Sequence, residues 1–118
     1  MIKGIGTDIV DLHRFKDKDE RFIKRILSDK EYTFYETITN NQRKLTYLGG
    51  RFAAKEALFK AISKADGSTN YHDFSILNNE DGKPFLDSKP KYLNEVIVHL
   101  SISHTDVFAI AYVILEIR

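Results

Sequence analysis

The chain has 118 residues, 42% hydrophobic and 30% charged, which suits one domain with one modest core and excludes a disordered chain. A net charge of +1 gives no global pull toward nucleic acid or a membrane, and the lack of Cys excludes disulfides and thiolate zinc sites. The longest apolar run, "VFAIAYVIL" at 107–115, is far short of a membrane span, and "MIKGIGTDIV" lacks the apolar stretch of a signal peptide, so a cytoplasmic protein is the expectation.

Residues 2–10, "IKGIGTDIV", alternate and are rich in β-branched side chains, which predicts a strand. Residues 12–27 read as helix with a break near "KDKDE". Ser28 and Glu31 form an S-x-x-E capping box that opens a helix over about 29–38. "TNNQ" turns the chain, and a long helix follows from about Arg43 to Ser63, ending before "KADGSTN". "DFSIL" is a short strand, "EDGKP" a turn and "FLD" another short strand. "NEVIVHLSISHTDVFAIAYVILEI" reads as two strands that turn near His104–Asp106.

The last of these strands is apolar on both faces. Ala109, Ala111, Val113 and Leu115 share one face with Val107, while Phe108, Ile110, Tyr112 and Ile114 share the other. An antiparallel sheet in a small domain ordinarily covers one face only, so the second face calls for a cover. The long helix can supply one cover, and a partner subunit or a second internal layer the other.

Four stretches carry chemistry. On the long helix, Gly49, Ala53, Glu56 and Lys60 form one stripe beside an apolar stripe of Leu45, Leu48, Phe52, Phe59 and Ile62. Small residues there let something approach the helix closely, though a Glu–Lys pair at i, i+4 is also an ordinary helix stabiliser. Lys55 falls in the apolar stripe, where it is expected to snorkel, and Arg51 flanks it. In "GIGTDIV", Gly4, Gly6, Asp8 and Val10 point one way, which puts a carboxylate on a strand face cleared by glycines. A buried Asp needs partners or a cation, and Asp11 is better placed than Asp8 to cap the next turn.

In "SISHT", Ser103, His104 and Thr105 sit at a hairpin end, where they can bind phosphate or simply build the turn; the same choice holds for Lys83 in "DGKP". Arg14, Lys18, Arg21 and Arg25 form a basic stripe if their helix is continuous, although residues 11–31 hold seven cations against six anions and can equally be a solvated face. Two carboxylates among several cations suggest a divalent metal holding phosphates, and hard oxygen ligands suit Mg²⁺. No Walker loop, G-x-S-x-G or nucleophile–base pair competes with this reading.

"GIGTDIVDLHRF", "GRFAAKEALFKAI", "GKP" and "SISHTDVFAIAYVILE" occur in this order and at these distances. The set closely resembles the bacterial holo-acyl-carrier-protein synthases, the short trimeric 4′-phosphopantetheinyl transferases, over nearly the whole chain; residues 16–42 and 64–80 match poorly. The resemblance implies one α+β domain over 1–118, an antiparallel sheet packed on a long helix and completed by oligomerisation. It implies Mg²⁺-dependent transfer of phosphopantetheine from coenzyme A to a serine of an acyl carrier protein, with release of adenosine 3′,5′-bisphosphate.

By that resemblance Asp8 and Glu56 are the metal ligands and Lys60 contacts phosphate. Arg51, Gly82, Lys83, Pro84, His104 and Thr105 line the coenzyme A site, and Arg14, with Arg21 and Arg25, docks the acidic carrier. The active sites lie between subunits of a homotrimer. A water on the metal, or Glu31, is the candidate base. A metal-dependent hydrolase of coenzyme A and a non-catalytic trimer that binds coenzyme A or a nucleotide are the alternatives.

Overall fold

The computed structural model describes residues 1–63 and 69–118, so the turn expected over "KADGSTN" lies largely outside the described residues. The architecture is α+β. Strands β1 (Ile2–Asp11), β4 (Ile97–His104) and β5 (Phe108–Glu116) make an antiparallel sheet in the order β1-β5-β4. Strands β2 (Ser75–Asn78) and β3 (Pro84–Ser88) make a separate two-stranded sheet. Helices α1 (Glu20–Ile26) and α2 (Asp29–Thr37) precede the long α3 (Asn41–Ala61), which packs on β1 and β5.

The predicted capping box is present: Ser28 Oγ accepts from Glu31 N, and Glu31 returns a carboxylate to Ser28 N at 2.8 Å. Helix α3 starts two residues before the predicted Arg43, because Asn40 caps it by accepting from Arg43 N at 3.0 Å. Residues 12–27 are not one helix. Leu12–Phe15 form a 3₁₀ turn, Asp17 takes a left-handed φ of 60°, and Asp19 then caps α1 through Phe22 N.

Close contact between α3 and β1 explains the glycines of the first strand. A Cβ on Gly6 would lie 1.9 Å from the carbonyl oxygen of Ala57, and one on Gly4 2.2 Å from that of Ala61. Helix backbone therefore rests directly on strand backbone. Ala53, Ala54 and Ala57 are fully buried, as are Ala109, Ala111 and Leu115 on the facing strand. The alternation predicted for β5 holds, and α3 covers its small-residue face. The opposite face of the sheet is open in this chain: Ile5 is 70% exposed, Ile9 61%, Tyr112 56% and Phe108 46%.

Lys55 corrects the snorkelling expectation. Its side chain is fully buried, and its ammonium meets Glu31 Oε1 at 2.5 Å, Ile26 O at 2.8 Å and Tyr71 O at 2.9 Å. Three acceptors for three N–H groups make burial tolerable without reaching water. Burial still pulls the ammonium below the ordinary lysine range, with Glu31 opposing. Glu31 in turn accepts from Ser28 N and, at 2.8 Å, from Ile76 N. Arg51 extends the network by donating from Nε to Ile76 O at 3.0 Å. The end of α1, the start of α2, the middle of α3 and β2 are thus joined through one dry polar junction.

Candidate active site

Asp8 lies on the helix-facing side of β1, in the row that contains Gly4 and Gly6. With Ala57 pressed against Gly6, the neighbouring positions of α3 project toward Asp8. Lys60 Nζ donates to Asp8 Oδ1 and to the carbonyl of Thr7, both at 3.0 Å. Glu56, one turn earlier on the same stripe, accepts a hydrogen bond at Oε1 from the Tyr71 hydroxyl. The Tyr71 hydroxyl is pushed well above the usual tyrosine range by burial, by its bond to Glu56 and by the charges of Glu56 and Asp8, with Arg14 pulling the other way. Asp8, Glu56, Lys60, Tyr71 and Arg14 therefore share one electrostatic neighbourhood.

The donor set fits a hard divalent cation. Among the described residues, Asp8 Oδ2 and Glu56 Oε2 take no hydrogen bond, so each carboxylate keeps an oxygen for a ligand. No group of three or more His, Cys, Asp or Glu side chains is gathered among the described residues. Two carboxylates with room for further oxygens suit an ion such as Mg²⁺, which takes few protein ligands and completes its shell with water and phosphate.

Arg51, Gly82, Pro84 and His104 come together around a cleft of 540 Å³, with Gln42, Arg43 and Asn78 among its other walls. Arg51 is only 6% exposed; it donates to Asn78 Oδ1 at 2.8 Å and its guanidinium lies 4.3 Å from the Tyr47 ring centre. Gly82, at φ +82°, closes the turn between β2 and β3. Lys83 and Thr105 do not line the cleft. The Lys83 backbone N–H donates to Asn79, and Thr105 Oγ1 accepts from Val107 N at 3.1 Å and Phe108 N at 3.0 Å, the turn role weighed from sequence.

The cleft and the carboxylate pair occupy opposite edges of the three-stranded sheet. Ile102 and His104 belong to the edge strand β4, Asp8 to the other edge strand β1.

The expected basic stripe on one helix is not formed, because the chain breaks between Arg14 and Arg21. Aromatic rings gather the cations instead. Arg14 sits 5.3 Å from Phe52 and 5.6 Å from Phe15, while Lys18 and Arg25 lie over Phe22 at 5.2 and 5.8 Å. Arg21 is exposed on α1. Glu31 is excluded as a base: it is fully buried and its oxygens serve Lys55, Ser28 and Ile76. Tyr71 escaped the sequence reading because its stretch shows neither period. The only local signal was Asn70, whose side chain caps the 3₁₀ turn Tyr71–Asp73.

Comparison with known proteins bears on this geometry. The family model of the 4′-phosphopantetheinyl transferase superfamily matches residues 4–113. A holo-[acyl-carrier-protein] synthase of Acholeplasma laidlawii is 47% identical over 119 residues, covering 100% of this chain and 99% of the relative. One from Oceanobacillus iheyensis is 43% identical over 121 residues, covering 100% and 99%. A crystal structure of the Bacillus anthracis holo-(acyl-carrier-protein) synthase in complex with CoA (3′,5′-ADP) superposes with a TM-score of 0.89 at 39% identity, covering 100% of this chain and 99% of that one. The Helicobacter pylori enzyme in complex with coenzyme A gives 0.80 at 28% identity, covering 95% and 99%.

Proposed function

The chain belongs to the holo-acyl-carrier-protein synthases of the 4′-phosphopantetheinyl transferase superfamily, and we propose that Asp8 and Glu56 hold the Mg²⁺ on which its reaction depends. The enzyme transfers the 4′-phosphopantetheine group of coenzyme A to a serine of apo-acyl carrier protein and releases adenosine 3′,5′-bisphosphate. The serine oxygen forms a bond to the β-phosphorus of coenzyme A, the bond between that phosphorus and the bridging pyrophosphate oxygen breaks, the bridging oxygen leaves on adenosine 3′,5′-bisphosphate, and the serine proton passes to water. When bound, Mg²⁺ would offset the charge of the pyrophosphate oxygens as that bond breaks.

The chain's own residues supply the rest. Lys60 is held by Asp8 and the Thr7 carbonyl, so its ammonium is in place before substrate arrives. Positive charge fixed in advance stabilises developing phosphate charge without reorganisation in the transition state. Arg51, Gly82, Pro84 and His104 form the wall against which coenzyme A is held, with Lys83 at the rim of the same turn. Arg14, Arg21 and Arg25 face an acidic carrier, and Arg14 is near enough to the carboxylates to help orient the entering serine.

The whole chain, 1–118, acts as one domain in a cytoplasmic homotrimer. What supports assembly is the open apolar sheet face together with the separation of cleft and carboxylates on opposite sheet edges. A neighbour then brings one half of the site to the other.

What supports the metal reading is that Lys60 bonds Asp8 where Ala57 rests on Gly6, that Glu56 lies one turn before Lys60, and that the charges of Glu56 and Asp8 both act on the Tyr71 hydroxyl. Apo carrier incubated with enzyme, coenzyme A and Mg²⁺ should gain the mass of one phosphopantetheine, and a chelator should stop the gain. Asp8→Ala and Glu56→Ala should abolish it while the melting temperature persists. Normal transfer by either variant would remove the metal site from this account.

A further inference from the structure

Tyr71 is fixed at three points around the site. Its ring stacks on Phe52 of α3 at 5.3 Å and 20° and packs against Phe59 at 5.1 Å. Its carbonyl accepts from the buried Lys55 at 2.9 Å. Its hydroxyl donates to Glu56 Oε1. A side chain held this firmly sets the rotamer of the carboxylate it touches, and a carboxylate with one oxygen engaged offers the other in a defined direction.

We propose that Tyr71 is a positioning residue for Glu56: its hydroxyl occupies Oε1, aims Oε2 at the divalent cation, and ties that carboxylate through Lys55 to the buried junction with Glu31. This rests on Glu56 being a metal ligand. The conservative variant Tyr71→Phe separates positioning from packing, since it keeps both ring contacts and the carbonyl bond and removes the hydroxyl alone.

Mn²⁺ serves as the probe, its bound fraction read by electron paramagnetic resonance on the intact protein with coenzyme A and no carrier. Tyr71→Phe should raise the Mn²⁺ dissociation constant roughly 10- to 100-fold. Its melting temperature should stay near that of the parent. In transfer assays the Mg²⁺ concentration for half-maximal rate should rise by a similar factor, while the rate at saturating Mg²⁺ recovers. Glu56→Gln should weaken Mn²⁺ binding as well, and adding Tyr71→Phe to it should cause no further loss. Unchanged Mn²⁺ affinity in Tyr71→Phe, with Glu56→Gln weakened, would overturn the assignment of Tyr71 alone. Unchanged affinity in Glu56→Gln would overturn the metal reading and this inference with it. A lowered melting temperature with intact Mn²⁺ binding would reduce Tyr71 to a packing residue.

Discussion

Lys55 and Lys60 lie little more than one turn apart on α3, and each meets a carboxylate from another element: Glu31 at 2.5 Å and Asp8 at 3.0 Å. The first pair is fully buried on both sides, whereas the Lys60 side chain is 46% exposed and that of Asp8 16%. Around Lys55 and Glu31 the donors and acceptors are matched against backbone groups of three other elements. Around Lys60 and Asp8, among the described residues, one carboxylate oxygen is left over. Identical ion-pair chemistry thus serves two ends. A saturated pair shut away from water holds the fold, and an unsaturated pair open to water is the one we propose for binding metal and phosphate.

The largest effect should come from breaking the buried pair. Lys55→Met leaves Glu31 charged, buried and without its cation, which should cost about 3–5 kcal/mol in urea or thermal unfolding. Replacing Glu31 by an apolar residue in the same chain should not restore the loss, although buried pairs elsewhere can be exchanged for hydrocarbon. Here Ser28 N, Ile76 N, Ile26 O and Tyr71 O would all lose their partners. Full recovery in the double variant would mean that the junction is ordinary packing.

The same substitution one turn on should do the reverse. Lys60→Met should change stability by less than about 1 kcal/mol, because an exposed pair in water is worth little. It should lower the transfer rate by about 10²- to 10³-fold, the usual loss when one preorganised charge stabiliser is removed. Steady-state transfer and thermal melts on one preparation test both halves. A large loss of stability with little loss of rate would erase the contrast between the two pairs.

The contrast was partly legible in the sequence. The capping box pointed to Ser28 and Glu31, and the glycines of "GIGTDIV" marked a strand face under close approach, because a backbone-on-backbone contact leaves no room for a Cβ. Strand alternation also separated the covered and open faces of β5. Burial of Lys55 was not legible, since periodicity places a lysine on an apolar face without saying whether Ile26, Glu31 and Tyr71 will surround its ammonium. Those partners are distant in the chain and are assembled only by the tertiary fold. The gathering of Arg14, Lys18 and Arg25 depends on the tertiary fold for a related reason. Helical spacing aligns them only if their helix is continuous; Asp17 breaks it, and the rings of Phe15, Phe22 and Phe52 do the gathering.

The smallest expected effect sharpens the buried side of the comparison through pH. Tyr47 stacks on Arg51 beside the junction, and burial pushes its hydroxyl up to about 12, with the Arg51 charge opposing. The folded value lies above the unfolded value of about 10, so the folded state keeps the phenol proton longer. The associated stability is fully present below pH 10 and is lost as pH rises toward 12. Lys55 acts in the opposite sense, because its folded value lies below the ordinary one and stability rises with pH as the folded state releases that proton first. Tyr47→Phe removes the tyrosine contribution and leaves Lys55 in place, so the difference between the two proteins isolates the phenol. Between pH 9 and about 10.5 the parent should lose on the order of 1 kcal/mol or less relative to Tyr47→Phe in urea unfolding. Parallel pH profiles would mean that water reaches the Tyr47 hydroxyl in the folded chain, and the dry region around the junction would end short of Arg51.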